Sequence, residues 1–353
     1  METPSRLGRP CQDVFDVSFP DRLKLGSELE ISRLLVGMWQ VSGAHGHIDP
    51  ARAIGAMLAH FDAGFTTFDL ADHYGPAENF IGELRRRLRA AHGDEALSRV
   101  QAFTKWVPEP GPMTRPIVEA AVRSSLRRMD VPALDLLQFH WWDYEDRRYL
   151  DALRHLADLR TAGMIRHLGL TNFDTRHVEE IVRNGIPVVS NQVQYSLVDR
   201  RPEAAMSELC RAHGIHLLTY GTVAGGLLSE RYLGVPEPGR GQLTTASLQK
   251  YKRMIDAWGG WNLLQELLTA LDAVARKHAA TIAGVAVRAI LDRPAVAGVI
   301  FGVRLGESEH VRENLRVFDL ALDTDDLARI DSVVSRSNDL FDAIGDCGDE
   351  YRH

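Results

Sequence analysis

The sequence is poor in cysteine, lacks long apolar runs and has no block of basic residues. Its three cysteines, Cys11, Cys210 and Cys347, lie far apart without a C-x-x-C pair, which argues against a disulfide framework and a thiolate metal site. No stretch approaches the ~18 apolar residues of a membrane span. The formal charge of −7 gives no general attraction to nucleic acid. We therefore expect a cytoplasmic protein that acts on a small molecule, without nucleic acid, metal or membrane segment, and leave homo-oligomerisation open.

Short β-branched or aromatic runs alternate with segments of helical apolar spacing. The runs are ISRLLVG (31–37), TTFDL (66–70), VQAFTK (100–105), LDLLQFH (134–140), IRHLGL (165–170), PVVSNQV (187–193), IHLLTY (215–220) and VAGVIFG (296–302). Strict alternation predicts a parallel sheet covered by helices. Eight repeats favour a (β/α)8 TIM barrel, whose usual length is ~250 residues before insertions. An open dinucleotide-binding sheet is disfavoured because no G-x-G-x-x-G follows the first run.

The chain is predicted to have three parts. Residues 1–25 form a polar N-terminal extension, residues 26–335 form a single catalytic barrel domain, and residues 336–353 form an acidic tail. Asp49 and Pro50 are typical of a helix start before the segment that ends at Gly64. Residues 229–262 are expected to be an irregular insert that acts as a lid or binding loop. The tail is expected to be a further loop or disordered.

Polar residues stand where the predicted strands end. In a TIM barrel the active site forms at these C-terminal ends, so these side chains should meet. In chain order they are Asp69, Lys105, His140, Thr171 with Asn172, Asn191 with Gln192, and Tyr220.

Asp69 and Lys105 end neighbouring strands and are expected to form an ion pair inside the barrel, because an unpaired buried charge is costly. Tyr74 follows on the loop after Asp69. A nearby ammonium stabilises phenolate, so we expect Lys105 to lower the pKa of Tyr74 and make it a general acid. A neutral His140 is expected to donate a hydrogen bond to a substrate carbonyl oxygen.

The segments around these residues resemble the aldo/keto reductase superfamily from Leu34 to about Leu327. GFTTFDLADHYGPAENFIG is similar to the family segment that bears the catalytic aspartate and tyrosine, FTKW to the lysine segment, and LDLLQFHWWD to the histidine segment. The resemblance implies that Asp69, Tyr74, Lys105 and His140 are catalytic. It also implies an NAD(P)H-dependent oxidoreductase that reduces aldehydes or ketones to alcohols, or runs the reverse oxidation.

The resemblance extends to cofactor contacts. GLTNF, NQVQY and the glycine-rich segment after Tyr220 imply that Thr171, Asn172, Gln192, Tyr220 and Leu227 hold the cofactor. FGVRLGESEHVRENL is similar to the adenosine-phosphate segment, which implies NADP(H) contacts by a further set of residues: Arg304, Arg312 and Asn314. Phe301 replaces a frequent proline and the spacing is longer than usual, so NAD(H) stays an alternative.

Tryptophans follow several strand ends and are predicted to line a pocket for a small carbonyl compound or sugar. They are Trp39, Trp106, Trp141 and the adjacent Trp142, and packing under loops is the alternative interpretation. Asp72 is expected to brace its loop and His73 to face solvent, with direct chemistry as the alternative for both.

Three rival functions stay open at this point. Lys105 could be the Schiff-base nucleophile of an aldolase, although Asp69 would keep it protonated. His45 and His47 could begin a hydrolytic metal site. Such a site needs further His or carboxylate ligands, whereas the fifth, sixth and eighth strands end in Thr and Asn, in Asn and Gln, and in Gly. The chain could also be a cofactor-sensing partner or regulatory subunit with little turnover.

Overall fold

Eight parallel strands form a closed barrel in the computed structural model, which describes residues 20–26, 28–43, 48–306 and 310–352. In chain order the strands are β1 (Arg22–Leu25), β2 (Leu29–Ser32), β3 (Leu34–Gly37), β4 (Thr67–Asp69), β5 (Gln101–Trp106), β6 (Leu134–His140), β7 (Ile165–Thr171), β8 (Val188–Gln194), β9 (His216–Tyr220) and β10 (Val296–Gly302). Strands β3 to β10 pair in sequence, and β10 closes onto β3. The predicted TIM barrel is confirmed.

Helices alternate with the barrel strands as the apolar spacing predicts. They are α1 (Pro50–Asp62), α2 (Ala77–His92), α3 (Asp94–Ser98), α4 (Arg115–Met129), α5 (Tyr149–Thr161), α6 (Thr175–Arg183), α7 (Met206–Ala212), α8 (Ala246–Trp258), α9 (Gly260–Lys277), α10 (Ile282–Leu291), α11 (Val311–Arg316), α12 (Thr324–Val334) and α13 (Leu340–Ile344). Short 3₁₀ turns lie at Trp39–Ser42, Arg201–Glu203, Ala224–Gly226, Glu230–Tyr232, Arg240–Gln242 and Asp349–Tyr351. The predicted cap of α1 is confirmed, because Asp49 accepts a hydrogen bond from the Arg52 amide at 2.8 Å. None of the helices in the described part of the chain is long and apolar enough to cross a membrane.

The first predicted run, 31–37, is two strands rather than one. Ile31 pairs with Leu23 in the antiparallel hairpin β1–β2, whereas Leu34 begins the barrel strand β3. The chain changes partner at Arg33, whose side chain donates to the carbonyls of Leu291, Val296 and Ala297. The hairpin covers the lower end of the barrel, where its apolar side chains meet inward-facing residues of the strands: Leu25, Leu29 and Ile31 against Leu35, Phe103, Leu136, Leu218 and Ala297.

The insert at 229–262 is not irregular throughout. Its second half forms α8, which begins after Thr245, whose hydroxyl accepts from the Leu248 amide at 3.2 Å. The helix buries residues at i, i+3, i+4 and i+7, a spacing that is visible in the sequence: Tyr251, Met254, Ile255 and Trp258. An irregular lid was expected because glycines and prolines are frequent in the first half of the insert, and they hid the helical spacing of its second half.

The tail packs against the barrel and is not disordered over residues 336–352. Leu340 of α13 and Cys347 are buried. Residues 346–352, called here the C-terminal strap, cross the barrel mouth, the opening at the C-terminal ends of the strands. Arg201 anchors the strap from inside the protein, donating to the Asp199 and Glu350 carboxylates and to the Asp346 carbonyl, each at 2.8–2.9 Å.

Replacing Arg201 by methionine is expected to lower the free energy of unfolding by about 3–5 kcal/mol, because two buried carboxylates lose their counter-charge. Urea unfolding followed by circular dichroism measures the change. The matched control is Arg183→Met, because Arg183 pairs with Glu179 on the exposed face of α6, and we expect a loss below about 0.5 kcal/mol there. Equal losses in the two variants would contradict the anchoring role of Arg201.

Candidate active site

An ion pair between Asp69 and Lys105 lies inside the barrel below the mouth. Asp69 ends β4 and Lys105 lies on the neighbouring strand β5, and the Lys105 Nζ is 2.6 Å from the Asp69 Oδ2. The ammonium also donates to the Leu70 carbonyl at 3.0 Å. Burial lowers the pKa of Lys105, and the charge of Asp69 opposes that shift. The pairing predicted from the sequence is confirmed.

The second oxygen of Asp69 is held by two amides. Gln138 and Gln192 each donate from Nε2 to the Asp69 Oδ1, at 2.9 and 2.7 Å. Gln192 Nε2 also donates to the Gln138 Oε1 at 2.8 Å, so both of its hydrogens are used and its own oxygen is the atom left to accept from a ligand. Gln138 was missed by the sequence reasoning. It stands two residues before His140 in an apolar run, and alternate strand residues share a face.

The pKa of Tyr74 is raised, whereas the sequence analysis expected it to be lowered. The Lys105 Nζ lies 5.0 Å from the centroid of the Tyr74 ring. Burial nevertheless raises the pKa of Tyr74 well above its ordinary value, and the negative charge of Asp69 adds to the rise. The expectation that Lys105 lowers this pKa was wrong, because burial and the charge of Asp69 raise it. Tyr74 is therefore a firmly protonated phenol.

His140 is a neutral imidazole with a defined tautomer. Its Nδ1 donates to the Thr171 carbonyl at 3.1 Å, because a carbonyl oxygen can only accept. Burial, followed by the charge of Arg352, lowers the pKa of His140 to about 3. The Nε2 therefore carries a lone pair, and it is buried without a hydrogen-bond partner among the described residues. In this tautomer Nε2 accepts hydrogen bonds, which corrects the expectation that it donates one.

The predicted nicotinamide contacts meet at the ends of β7, β8 and β9. Asn172 has a left-handed backbone (φ 57°), which asparagine tolerates better than most residues, and its Oδ1 accepts from the Tyr220 hydroxyl at 2.8 Å. The Thr171 Oγ1 is buried, and no partner for it lies within the residues that the structure describes. Thr171, Asn172, Gln192 and Tyr220 thus present polar atoms to one side of the mouth.

The glycine-rich segment after β9 lies under helix α8. Gly221 and Gly225 both have positive φ, and a Cβ at either position would collide with the ring of Tyr251. Leu227, which was predicted to run beside the cofactor, is fully buried at the end of this segment. The glycines allow α8 to approach the backbone closely.

The residues predicted near the adenosine phosphate follow β10. Arg304 is exposed just after the strand, Arg312 is exposed on α11, and Asn314 is half-buried on the same helix. Residues 307–309 between them lie outside the described part of the chain.

The tryptophans divide into two groups. Trp106 and Trp141 pack in the core against Phe139, on the outer side of the barrel, because they alternate with the inward-facing Lys105 and His140. Their side chains point away from the mouth. Trp106 and Trp141 therefore pack inside the protein and do not line the predicted pocket. Trp39 and Trp142 are about 40% exposed. Their rings lie edge-on at 5.0 Å from Tyr74 and at 4.2 Å from His140, respectively, so both flank the mouth.

Asp72 and His73, two further polar candidates from the sequence, have local roles in their loop. Asp72 accepts from the Val107 amide at 3.4 Å and from His73, which is half exposed, as expected for a braced loop. His45 and His47 lie outside the described residues. Within the described residues, no cluster of three histidine, cysteine or acidic side chains is suited to a metal ion.

Comparisons with known proteins agree on one family. A sequence model of the aldo/keto reductase family matches residues 33–335. L-glyceraldehyde 3-phosphate reductase of Escherichia coli K12 is 26% identical over 325 residues, which cover 88% of this chain and 90% of that protein. The NADH-specific methylglyoxal reductase of Escherichia coli K12 is 23% identical over 328 residues, covering 85% and 94%.

Solved structures give the same likeness. A thermostable aldo-keto reductase in complex with the inhibitor epalrestat superposes with a TM-score of 0.67 at 25% identity, covering 88% of this chain and 99% of the other. An aldo/keto reductase from Klebsiella pneumoniae in complex with NADP and acetate has a TM-score of 0.67 at 22% identity, covering 89% and 95%.

The raised pKa of Tyr74 can be measured by titrating tyrosinate absorbance in the wild type and in Tyr74→Phe. Because burial and Asp69 hold the proton on Tyr74, the difference between the two titrations is expected to stay at zero up to about pH 10, where a free tyrosine is half ionised. N-acetyltyrosinamide under the same conditions is the reference. A difference that develops near about pH 8 would restore the interpretation that Lys105 lowers this pKa.

Proposed function

The chain belongs to the aldo/keto reductase family, and we propose that it is an NAD(P)H-dependent oxidoreductase that reduces an aldehyde or ketone to an alcohol, or runs the reverse oxidation. The observation that carries the proposal is the buried ion pair of Asp69 and Lys105, whose ammonium nitrogen lies 5.0 Å from the centroid of the Tyr74 ring. A proton donor supported by a fixed positive charge suits the conversion of a carbonyl oxygen to a hydroxyl.

The polar groups at the mouth fit a nicotinamide cofactor. Among the described residues, neither the Gln192 Oε1 nor the buried Thr171 hydroxyl has a hydrogen-bond partner, and both can bind its carboxamide. Asn172 and Tyr220 lie beside them, and the segment that ends at Leu227 would carry the diphosphate. When bound, the cofactor supplies the hydride.

We propose NADP(H) as the cofactor because two exposed arginines, Arg304 and Arg312, follow β10. Guanidinium groups bind a 2′-phosphate through paired N–H donors. One relative is named as NADH-specific and one similar structure holds NADP, so the assay below includes both cofactors.

Tyr74 would give its hydroxyl proton to the oxygen of the carbonyl group as that group is reduced. The phenolate that forms is stabilised by the Lys105 ammonium, 5.0 Å from the ring. Asp69 holds Lys105 in place and balances its charge, and the amides of Gln138 and Gln192 fix the carboxylate. The raised pKa of Tyr74 keeps the proton available at neutral pH.

His140 orients the substrate through a hydroxyl group. In the tautomer set by Thr171, its Nε2 accepts a hydrogen bond, which suits a hydroxyl beside the carbonyl or the hydroxyl of the alcohol. The carbonyl oxygen takes its hydrogen bond from Tyr74. Trp39 and Trp142 flank the opening, where their exposed rings can pack against a small carbonyl compound or a sugar.

The reaction class is tested by following the oxidation of NADPH and NADH with a panel of aldehydes, ketones and sugars, and the reduction of NADP+ and NAD+ with the matching alcohols. We expect turnover in the wild type and a loss of about 10²- to 10⁴-fold in kcat in Tyr74→Phe, with cofactor binding retained. Tyr232→Phe, at a tyrosine of the insert, is the matched control. Tight cofactor binding without turnover in either direction would instead favour a cofactor-sensing regulatory subunit.

The pH dependence of kcat for carbonyl reduction should be flat between about pH 5 and pH 9 at saturating substrate and cofactor. Tyr74 stays protonated because its pKa is raised above about 10, and His140 stays neutral because its pKa is lowered to about 3. Activity should fall only at higher pH, as Tyr74 loses its proton. A limb with an apparent pKa near 6.5, the ordinary value of histidine, would contradict the neutral state of His140.

A further inference from the structure

The C-terminal strap brings an arginine to the mouth. The Arg352 side chain is 9% exposed. Its Nη2 donates to the carbonyl of Trp141 at 3.1 Å and to the carbonyl of Asn172 at 2.6 Å. The guanidinium carbon lies 4.0 Å from the centroid of the Tyr144 ring. These contacts fix the position of a buried positive charge.

The groups around Arg352 are held by further contacts. Tyr144 stacks on His177 with ring centroids 3.5 Å apart. Arg201 holds the preceding part of the strap through Asp346 and Glu350. The guanidinium is therefore already positioned for a ligand, which reduces the entropy lost on binding.

Two nitrogens of Arg352 carry N–H groups that have no acceptor among the described residues. The Nε and Nη1 are buried and, among the described residues, make no hydrogen bond. The Asp349 Oδ1 lies 3.9 Å from Nη1, beyond hydrogen-bond distance. Buried donors in native proteins are nearly always paired, so these N–H groups point to a ligand that accepts hydrogen bonds.

Arg352 lies beside the reacting groups. It bonds the carbonyl of Trp141, which follows His140, and the carbonyl of Asn172, which follows Thr171. Besides burial, the positive charges of Arg352 and Lys105 lower the pKa of His140. The space next to the imidazole is thus favourable for a negative group.

The phosphates of the cofactor are not the natural partner of Arg352. They are proposed to lie along the segments after β9 and β10, whereas Arg352 bonds the ends of β6 and β7. In the barrel order β8 separates β7 from β9, and β3 to β5 separate β6 from β10. A negative group at Arg352 therefore belongs to the substrate.

We propose that Arg352 binds an anionic group, a carboxylate or a phosphate, carried by the carbonyl substrate. The inference rests on the proposed reductase function and narrows its substrate class to aldehydes or ketones with such a group. Arg352 makes no contact with the reacting carbonyl in this assignment and sets specificity. Asp349 competes weakly for Nη1 at 3.9 Å in the absence of substrate.

The test compares kcat/KM within two matched pairs of aldehydes. Succinic semialdehyde against butanal tests a carboxylate, and glyceraldehyde 3-phosphate against glyceraldehyde tests a phosphate. Because a hydrogen bond to a charged group contributes about ten- to a hundredfold in affinity, we expect the wild type to prefer the anionic member of at least one pair by about that factor. The pair that shows the preference identifies the group.

Variants assign the preference to Arg352. In Arg352→Met the ratio of anionic to neutral kcat/KM is expected to fall to about one, and the ratio is the readout because any loosening of the strap lowers both members of a pair. Asp349→Asn removes the competing carboxylate and should raise the ratio. Arg336→Met is the control, since Arg336 pairs with Glu266 away from the mouth.

Each outcome decides the proposal. Turnover of neutral aldehydes without preference for either anionic partner would overturn the role of Arg352 and leave the reductase function standing. If the preference persists in Arg352→Met and only the melting temperature falls, then Arg352 holds the strap in place and does not bind the substrate. No turnover of any of the four aldehydes with either cofactor would overturn the anionic substrate class proposed for Arg352, and the reductase function would then be decided by the wider panel of ketones, sugars and alcohols.

Discussion

The ion pair between Asp69 and Lys105 is the interaction on which the site depends. A charged pair inside a barrel survives only when its remaining polar atoms are also satisfied. Gln138 and Gln192 meet this condition for Asp69, and the Leu70 carbonyl meets it for Lys105. Tyr74 and His140 lie above this network, where burial fixes both as neutral groups. The proposed chemistry therefore starts from a neutral donor and a neutral acceptor around one buried charge pair.

A second buried charge, Arg201, organises the upper half of the mouth. It ties β8 and the turn that follows to the C-terminal strap through Asp199 and Glu350. The strap then reaches Tyr220 through Tyr351 and reaches Asn172 through Arg352. The tail and the barrel are consequently one structural unit at this end, and substrate recognition is expected to involve both.

Much of the fold could be read from period and spacing. The barrel strands, the cap at Asp49 and the pairing of Asp69 with Lys105 follow from alternation, a capping residue and adjacency. Helix α8 could also have been predicted from its apolar residues at i, i+3, i+4 and i+7. The glycines and prolines that precede the helix made this spacing hard to recognise. The split at Arg33 was not legible, because an unbroken apolar run does not show which partner strand each half takes.

By itself the sequence determined the barrel, the four candidate residues Asp69, Tyr74, Lys105 and His140, and the family that they resemble. Tertiary structure alone decided their protonation states, because the pKa of Tyr74 and the tautomer of His140 depend on burial and on Thr171, which is 31 residues from His140. It also decided which tryptophans face the mouth. The position of Arg352 depends on contacts with residues 180 and 211 positions away, and no local pattern encodes such distances.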